Sequence, residues 1–396
     1  MPHAVGQPGY TQCMNDVTRR RAWISAVALV VAVTSADGQQ FGGIARAAFP
    51  PAQQPGPADV IASERLVRRF DSLRLARRIP GLAAVVLRDT TVVLARGFGM
   101  ADVERAVPVT PNTPFNIASV AKPIAGVVAL KLAQQGLLDL DRPMTAYEGF
   151  RELCAEVRGV GGIFWGDYAC DTDSLTLRHV LTMTANGRPG KRFLYNPPSF
   201  SWGSRPMMQV SGVPYSTLVD SLVLRPAGMT RSARKHRNLA LREDLAKDLA
   251  RPYHTDSSGV LRPSPPPGPQ GDGAAGGVIA TAMDLARFDI ALTRGALLPD
   301  SLRQVMWSPT RTATGAVLPY GIGWFVQQHE GETLLWHSGL CEGAYSAIYL
   351  RAPSRGITLI LLANSDGLWW DNPLDGAQIH RSPFVAAFLE AFPRRP

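Results

Sequence analysis

Lysine is scarce in this chain of 396 residues. It occurs only at positions 122, 131, 191, 235 and 247, so arginine supplies most of the 41 basic residues. The excess over 32 acidic residues, a formal charge of +9, is spread out. Its densest runs, Arg19–Arg21 and Arg231–Arg237, carry no interleaved aromatics, and no RNA-recognition, zinc-finger or basic-zipper pattern occurs. Nucleic acid is therefore not an expected partner. Cysteine is sparse too, four in all, with no Cys-x-x-Cys and no His-Glu-x-x-His, so no metal site is expected. The absence of a Gly-x-Ser-x-Gly elbow excludes the hydrolases built on that turn. Beyond the first fifty residues no apolar run approaches the roughly 20 residues of a membrane span. What is present is ordinary globular composition, 45% hydrophobic and 18% charged, with length for two or three structural units.

The first fifty residues do not read as fold. Arg19–Arg21 precede an apolar run from Ala22 to Val33, followed by Thr34, Ser35 and Ala36. A basic segment, a short apolar core and a small-residue exit make a signal peptide over 1–36, with cleavage between 36 and 48. An uncleaved N-terminal anchor is the competing reading. Residues 37–57 then form a linker, rich in Pro, Gln and Gly at its end. The expected product is an exported protein, periplasmic or secreted, with no stable membrane span after cleavage. Cys13 would leave with the leader. In an oxidising compartment Cys154 and Cys170, flanking a Gly-rich stretch, invite a local disulfide. Two unrelated buried thiols are the alternative.

A helix is predicted near 58–78 from Val60, Ile61, Leu66, Val67 and Phe70. Leu82–Leu87 and Thr91–Ala95, joined by Arg88-Asp89-Thr90, read as a hairpin. Residues 119–136 form a long apolar helix ended by Gly136. From 137 to about 270 the pattern gives helical pieces and long loops without a strand series. Thr281 caps a helix with its body at Asp284–Ala291. Four strands follow, Tyr320–Gln327, Thr333–His337, Ala344–Leu350 and Ile357–Ala363, then a final helix, Pro383–Phe392. This order predicts an α+β fold: one antiparallel sheet flanked by terminal helices, with a helical insertion domain. The division is a discontinuous α/β domain, 58–115 and 275–396, around a mainly helical domain, 116–274. Ligand sites favour such junctions.

The most informative stretch is Phe115-Asn116-Ile117-Ala118-Ser119-Val120-Ala121-Lys122. At a helix start, Ser119 and Lys122 share one face, roughly 5–6 Å apart at Cβ. A serine hydroxyl becomes a nucleophile when a base takes its proton. A neutral lysine can be that base, and both desolvation and the helix dipole lower its pKa. The spacing alone is weak evidence: Ser232-Ala233-Arg234-Lys235 matches it too, in a polar run that reads as a solvated loop. Further on, Tyr195 in Phe193-Leu194-Tyr195-Asn196-Pro197 could shuttle protons if its pKa is depressed by nearby cations. In Trp336-His337-Ser338-Gly339, the glycine would let a substrate approach a strand closely.

This order of motifs resembles the class C β-lactamase-related serine hydrolases, which include D,D-peptidases, β-lactamases and esterases. The resemblance covers about residues 56–392. Supporting stretches are Leu137-Leu138-Asp139-Leu140-Asp141, Pro226-Ala227-Gly228-Met229, Ala275-Gly276-Gly277 with Asp284-Leu285-Ala286-Arg287-Phe288, and Tyr320-Gly321-Ile322-Gly323-Trp324. It implies Ser119 as the acylated nucleophile, Lys122 as its base and Tyr195 as a proton carrier for the leaving group. It implies an oxyanion hole from the backbone N–H groups of Ser119 and Leu340, and substrate contacts from His337, Ser338 and Gly339. No cofactor is implied. The expected partner is a small ester, peptide or β-lactam-like substrate.

Three departures stand out. Pro197 occupies the place of the family's asparagine, for which Asn196 is the candidate substitute. His337 replaces the lysine typical of true β-lactamases and removes a fixed positive charge. Met183-Thr184-Ala185-Asn186-Gly187 stands where a His-Thr-Ser-Gly-like segment is usual. The His337 replacement favours an esterase or peptidase-like amidase over an efficient β-lactamase, and the Met183–Gly187 segment reads as a structural change. A penicillin-recognising D,D-carboxypeptidase or β-lactamase is the alternative within the class, and a catalytically silent binding module the alternative outside it.

Overall fold

Two β-branched apolar runs near the N-terminus and three apolar runs near the C-terminus share one problem: their apolar side chains must leave water. A computed structural model describes residues 54–158, 167–168, 170–235, 240–265, 271–370 and 377–394. The leader, and with it Cys13, lies outside the described residues. The strands in chain order are β1 (Gly81–Arg88), β2 (Thr91–Asp102), β3 (Val107–Pro108), β4 (Phe115–Asn116), β5 (Ala233–Arg234), β6 (Tyr253–Thr255), β7 (Leu261–Pro263), β8 (Val278–Ala280), β9 (Phe325–His329), β10 (Glu332–Cys341), β11 (Tyr345–Ala352) and β12 (Ile357–Ala363). Seven of them form one sheet in the order β3-β2-β1-β12-β11-β10-β9. β1 pairs with β12, Val85 opposite Ile360, so the N-terminal hairpin and the C-terminal strands meet in the middle of the sheet. Every pairing in this sheet is antiparallel, which makes it the antiparallel sheet of an α+β fold.

The central strands are buried along nearly their whole length, so both faces need cover. Helix Ala282–Thr293, capped by Thr281 Oγ1 accepting from Asp284 N at 3.0 Å, supplies part of it. Its Phe288 packs edge-on to Tyr349, and its Asp289 accepts from Tyr349 Oη at 2.6 Å. The first helix, α1 (Pro57–Ala76), and the last, Pro383–Ala391, pack on each other through Phe70 and Phe384, rings 5.7 Å apart.

A second, three-stranded sheet, β4-β8-β5, lies directly before the predicted nucleophile. It corrects the expectation for Ser232–Lys235. That copy of the motif is not a solvated loop: Ser232 is 3% and Arg234 7% exposed, because β5 pairs with β8. The strand expected from Tyr320 begins instead at Phe325. Residues 320–324 turn, with Gly321 N bonded to Trp324 O at 2.8 Å. The turn fits because a Cβ on Gly323, at φ 76°, would collide with the Lys122 carbonyl. Cys154 and Cys170 form a disulfide, and among the described residues no cysteine is free.

Candidate active site

Ser119 lies in a single 3₁₀ turn, Ala118–Val120, that runs straight into α2 (Ala121–Gln134). The turn is fixed from below. Ile117 N donates to Val278 O at 3.1 Å, and Ala118 N donates to Asn116 Oδ1 at 2.9 Å. Ala118 is held at φ 47°, a left-handed conformation that a non-glycine residue adopts only under constraint. Ser119 is partly exposed between two buried neighbours. Lys122, one turn on, is fully buried. Its Nζ is hydrogen-bonded to Ser119 Oγ at 2.7 Å and donates to the Ala275 carbonyl at 3.0 Å. Burial pushes the Lys122 ammonium well below the ordinary lysine range. A neutral amine with one N–H held by Ala275 keeps a lone pair for the Ser119 proton.

Tyr195 comes to the same point. It shares a hydrogen bond with Ser119, and Lys122 Nζ lies 5.2 Å from its ring centroid. Its titration is the reverse of the expectation. Burial raises the Tyr195 phenol above its usual range, and the bond to Ser119 only opposes that rise. It is a proton-bearing phenol, not a phenolate. Asn196 does not take the place of the missing asparagine. Its Oδ1 caps helix Pro197–Trp202 by accepting from Ser199 N at 2.9 Å, and its Nδ2 donates to Asn186 Oδ1 at 2.8 Å. With Pro at the first helical position, the residue before it is the natural cap. The contacts the structure gives these Asn196 atoms are structural ones within the chain.

His337 is fully buried on β10. Nδ1 faces the Ser338 carbonyl at 2.7 Å, so Nδ1 carries the proton; Nε2 then accepts from Tyr320 Oη at 2.9 Å. Burial pushes the imidazole well below its usual range. The imidazole is held neutral, and both ring nitrogens are occupied. Ser338 and Gly339 follow on the strand. A Cβ on Gly339 would collide with the Ile117 carbonyl, so the glycine brings the β10 edge against the Ser119 turn. Leu340, next along, is partly exposed between buried neighbours, as Ser119 is. β9 pairs with β10 only as far as Trp336, so the edge from His337 to Cys341 has no β9 partner.

The Beta-lactamase family model matches residues 64–381. The chain belongs to the Beta-lactamase family. It is 25% identical over 302 residues to Penicillin-binding protein 4* of Bacillus subtilis (strain 168), covering 69% of this chain and 66% of that one. The chain spans between 60% and 66% of the length of this and two other curated relatives that it matches. Among solved structures, the octameric penicillin-binding protein homologue from Pyrococcus abyssi superposes with a TM-score of 0.66 at 23% identity, covering 83% of this chain and 77% of that one. D-amino acid amidase from Ochrobactrum anthropi SV3, complexed with L-phenylalanine amide, gives 0.65 at 19% identity, covering 84% and 98%. Both show the fold. Within this Beta-lactamase-family site, sequence reasoning missed the Ala275 carbonyl and the Tyr320 hydroxyl as partners of Lys122 and His337. Each belongs to a stretch the resemblance had singled out, but neither had a partner legible along the chain.

Proposed function

We propose that the chain is an exported serine hydrolase that acts through an acyl-enzyme at Ser119 on esters or small amides, peptides included. The observation that carries this is the buried Lys122 amine, 2.7 Å from Ser119 Oγ. Ser119 Oγ attacks the substrate carbonyl carbon and its proton passes to Lys122. The oxyanion is met by the N–H groups of Ser119 and Leu340, each worth roughly 10²–10³ in rate. The tetrahedral adduct collapses as the leaving oxygen or nitrogen takes the proton from Lys122 by way of the Tyr195 hydroxyl. Water then attacks the acyl ester, releasing the acid and restoring Ser119.

The neutral His337 supports the choice of ester or amide. It offers no cation to a substrate carboxylate, as the lysine of true β-lactamases would. The name of the Bacillus relative favours the second reading, a penicillin-recognising D,D-carboxypeptidase or β-lactamase. Export is supported by the leader pattern and by the Cys154–Cys170 disulfide, which persists in oxidising compartments. Among the described residues no helix is long and apolar enough to cross a membrane. The test is intact mass after treatment with a reactive fluorophosphonate, beside Ser119→Ala. One adduct, lost in the variant, is the expected result. A folded protein that takes no adduct would instead support the silent binding module. Turnover of esters against β-lactams and D-amino-acid peptides then separates the two catalytic readings.

A further inference from the structure

We propose that Arg234 is a positioning residue for the Lys122 amine: it fixes the loop whose Ala275 carbonyl holds that amine beside Ser119. The proposal rests on the reading of Ser119 and Lys122 as nucleophile and base.

Arg234 sits on β5, and its guanidinium reaches across the loop Gly271–Gly277. Nη2 donates to the carbonyls of Gly271 at 2.6 Å and Gly273 at 2.7 Å, and Nη1 donates to the Lys235 carbonyl. Asp272, between two of these acceptors, adds charge attraction, and the Tyr215 ring lies 5.7 Å from the guanidinium carbon. The rest of the loop is tied down as well. Ala274 N donates to Ser201 O at 3.0 Å, and Lys235 N donates to Gly277 O at 2.8 Å. Ala275 is carried by this pinned segment, and its carbonyl meets Lys122 Nζ. Arg234 thus acts on the base through the backbone, not by direct contact.

The residue type matters. A planar fork can serve several carbonyls at fixed angles, while a lysine offers one flexible point charge. Gly277, at φ 78°, passes so close that a Cβ there would collide with the guanidinium, so fork and loop are shaped to each other. If the loop relaxes, the amine loses the acceptor that aims its lone pair at Ser119, and water can reach it.

The experiment follows the second-order rate of fluorophosphonate labelling against pH in the full chain, for wild type, Arg234→Gln and Arg234→Lys, with circular dichroism as the check on folding. Both variants should label roughly 10²-fold more slowly, the cost of a misplaced catalytic group. Their acid limb should move to higher pH, because a rehydrated amine holds its proton more tightly. Lysine should not rescue. A folded variant with the wild-type rate and acid limb would overturn the proposal, as would full rescue by lysine. If Arg234→Gln does not fold, the same two readouts on Arg234→Lys decide. A wild type that takes no label overturns the Ser119 reading and this proposal with it; a labelled wild type with unchanged variants overturns only this one.

Discussion

Lys122 is a lysine whose charged form has been made costly. It is enclosed on a helix that is buried from Ala121 to Leu130, and burial lowers its pKa. The sign of the pH dependence follows. In the proposed mechanism the amine acts without its proton, so Ser119 acylation should rise with pH through the depressed Lys122 pKa and then level off. Stability runs the same way. Between the folded and unfolded pKa values the unfolded chain holds a proton that the folded chain has lost, so stability at this site rises with pH across that window and falls as the pH drops towards the folded value. Lys122→Met should therefore lower labelling of Ser119 by roughly 10²–10⁴-fold and flatten that slope. Labelling rates and urea midpoints at several pH values check both. A variant that labels at the wild-type rate would remove Lys122 from the mechanism. Around it the other titratable groups are held in single states: Tyr195 keeps its proton and His337 stays neutral.

At the scale of elements, the site is the place where a helix start meets a strand edge. β9 ends its pairing at Trp336, and β10 runs on past it with one edge turned to the Ser119 turn. Gly339 sets how closely the two approach. Gly339→Ala would push the edge away from the Ile117 carbonyl and carry the Leu340 N–H with it. If that N–H is the proposed oxyanion donor, its loss should slow acylation by roughly 10²–10³-fold. Because only the edge need move, the thermal midpoint should change far less than the labelling rate. A variant with the wild-type rate would show that Leu340 N–H does not serve the oxyanion.

At the scale of the whole molecule, the two ends of the chain must find each other before a site exists. Asn364, fully buried just past β12, joins them. Its Oδ1 accepts from Gly81 N at 2.8 Å, and its Nδ2 donates to the carbonyls of Met100 at 3.1 Å and Arg251 at 3.0 Å. One side chain thus links β1, β2 and the segment just before β6. Asn364→Ala leaves the buried Gly81 N–H without its partner, at about 1–3 kcal/mol, and removes two part-buried bonds to the Met100 and Arg251 carbonyls. The prediction is a loss of at least about 2 kcal/mol in chemical denaturation. A loss under half that would mean the ends are held together elsewhere.

Much of this was legible along the chain. Ser119 and Lys122 meet because helical geometry brings residues three apart onto one face. The hairpin, the strands and the capped helix at Thr281 follow from local periodicity and turn chemistry, and the strands fold where those patterns place them, apart from their ends. What only the tertiary structure decided is who faces whom and in which protonation state. The Ala275 carbonyl lies 153 residues from Lys122, Tyr320 lies 17 from His337, and Asn364 lies 283 from Gly81. The expectations that failed are of this kind: the solvated loop at Ser232–Lys235 and the depressed Tyr195. Each depends on burial and on a partner brought in from elsewhere. Residue type and spacing determine which chemistry is possible, while desolvation and a distant hydrogen-bond partner determine the charge and direction of each group, and those arise only when the chain has packed.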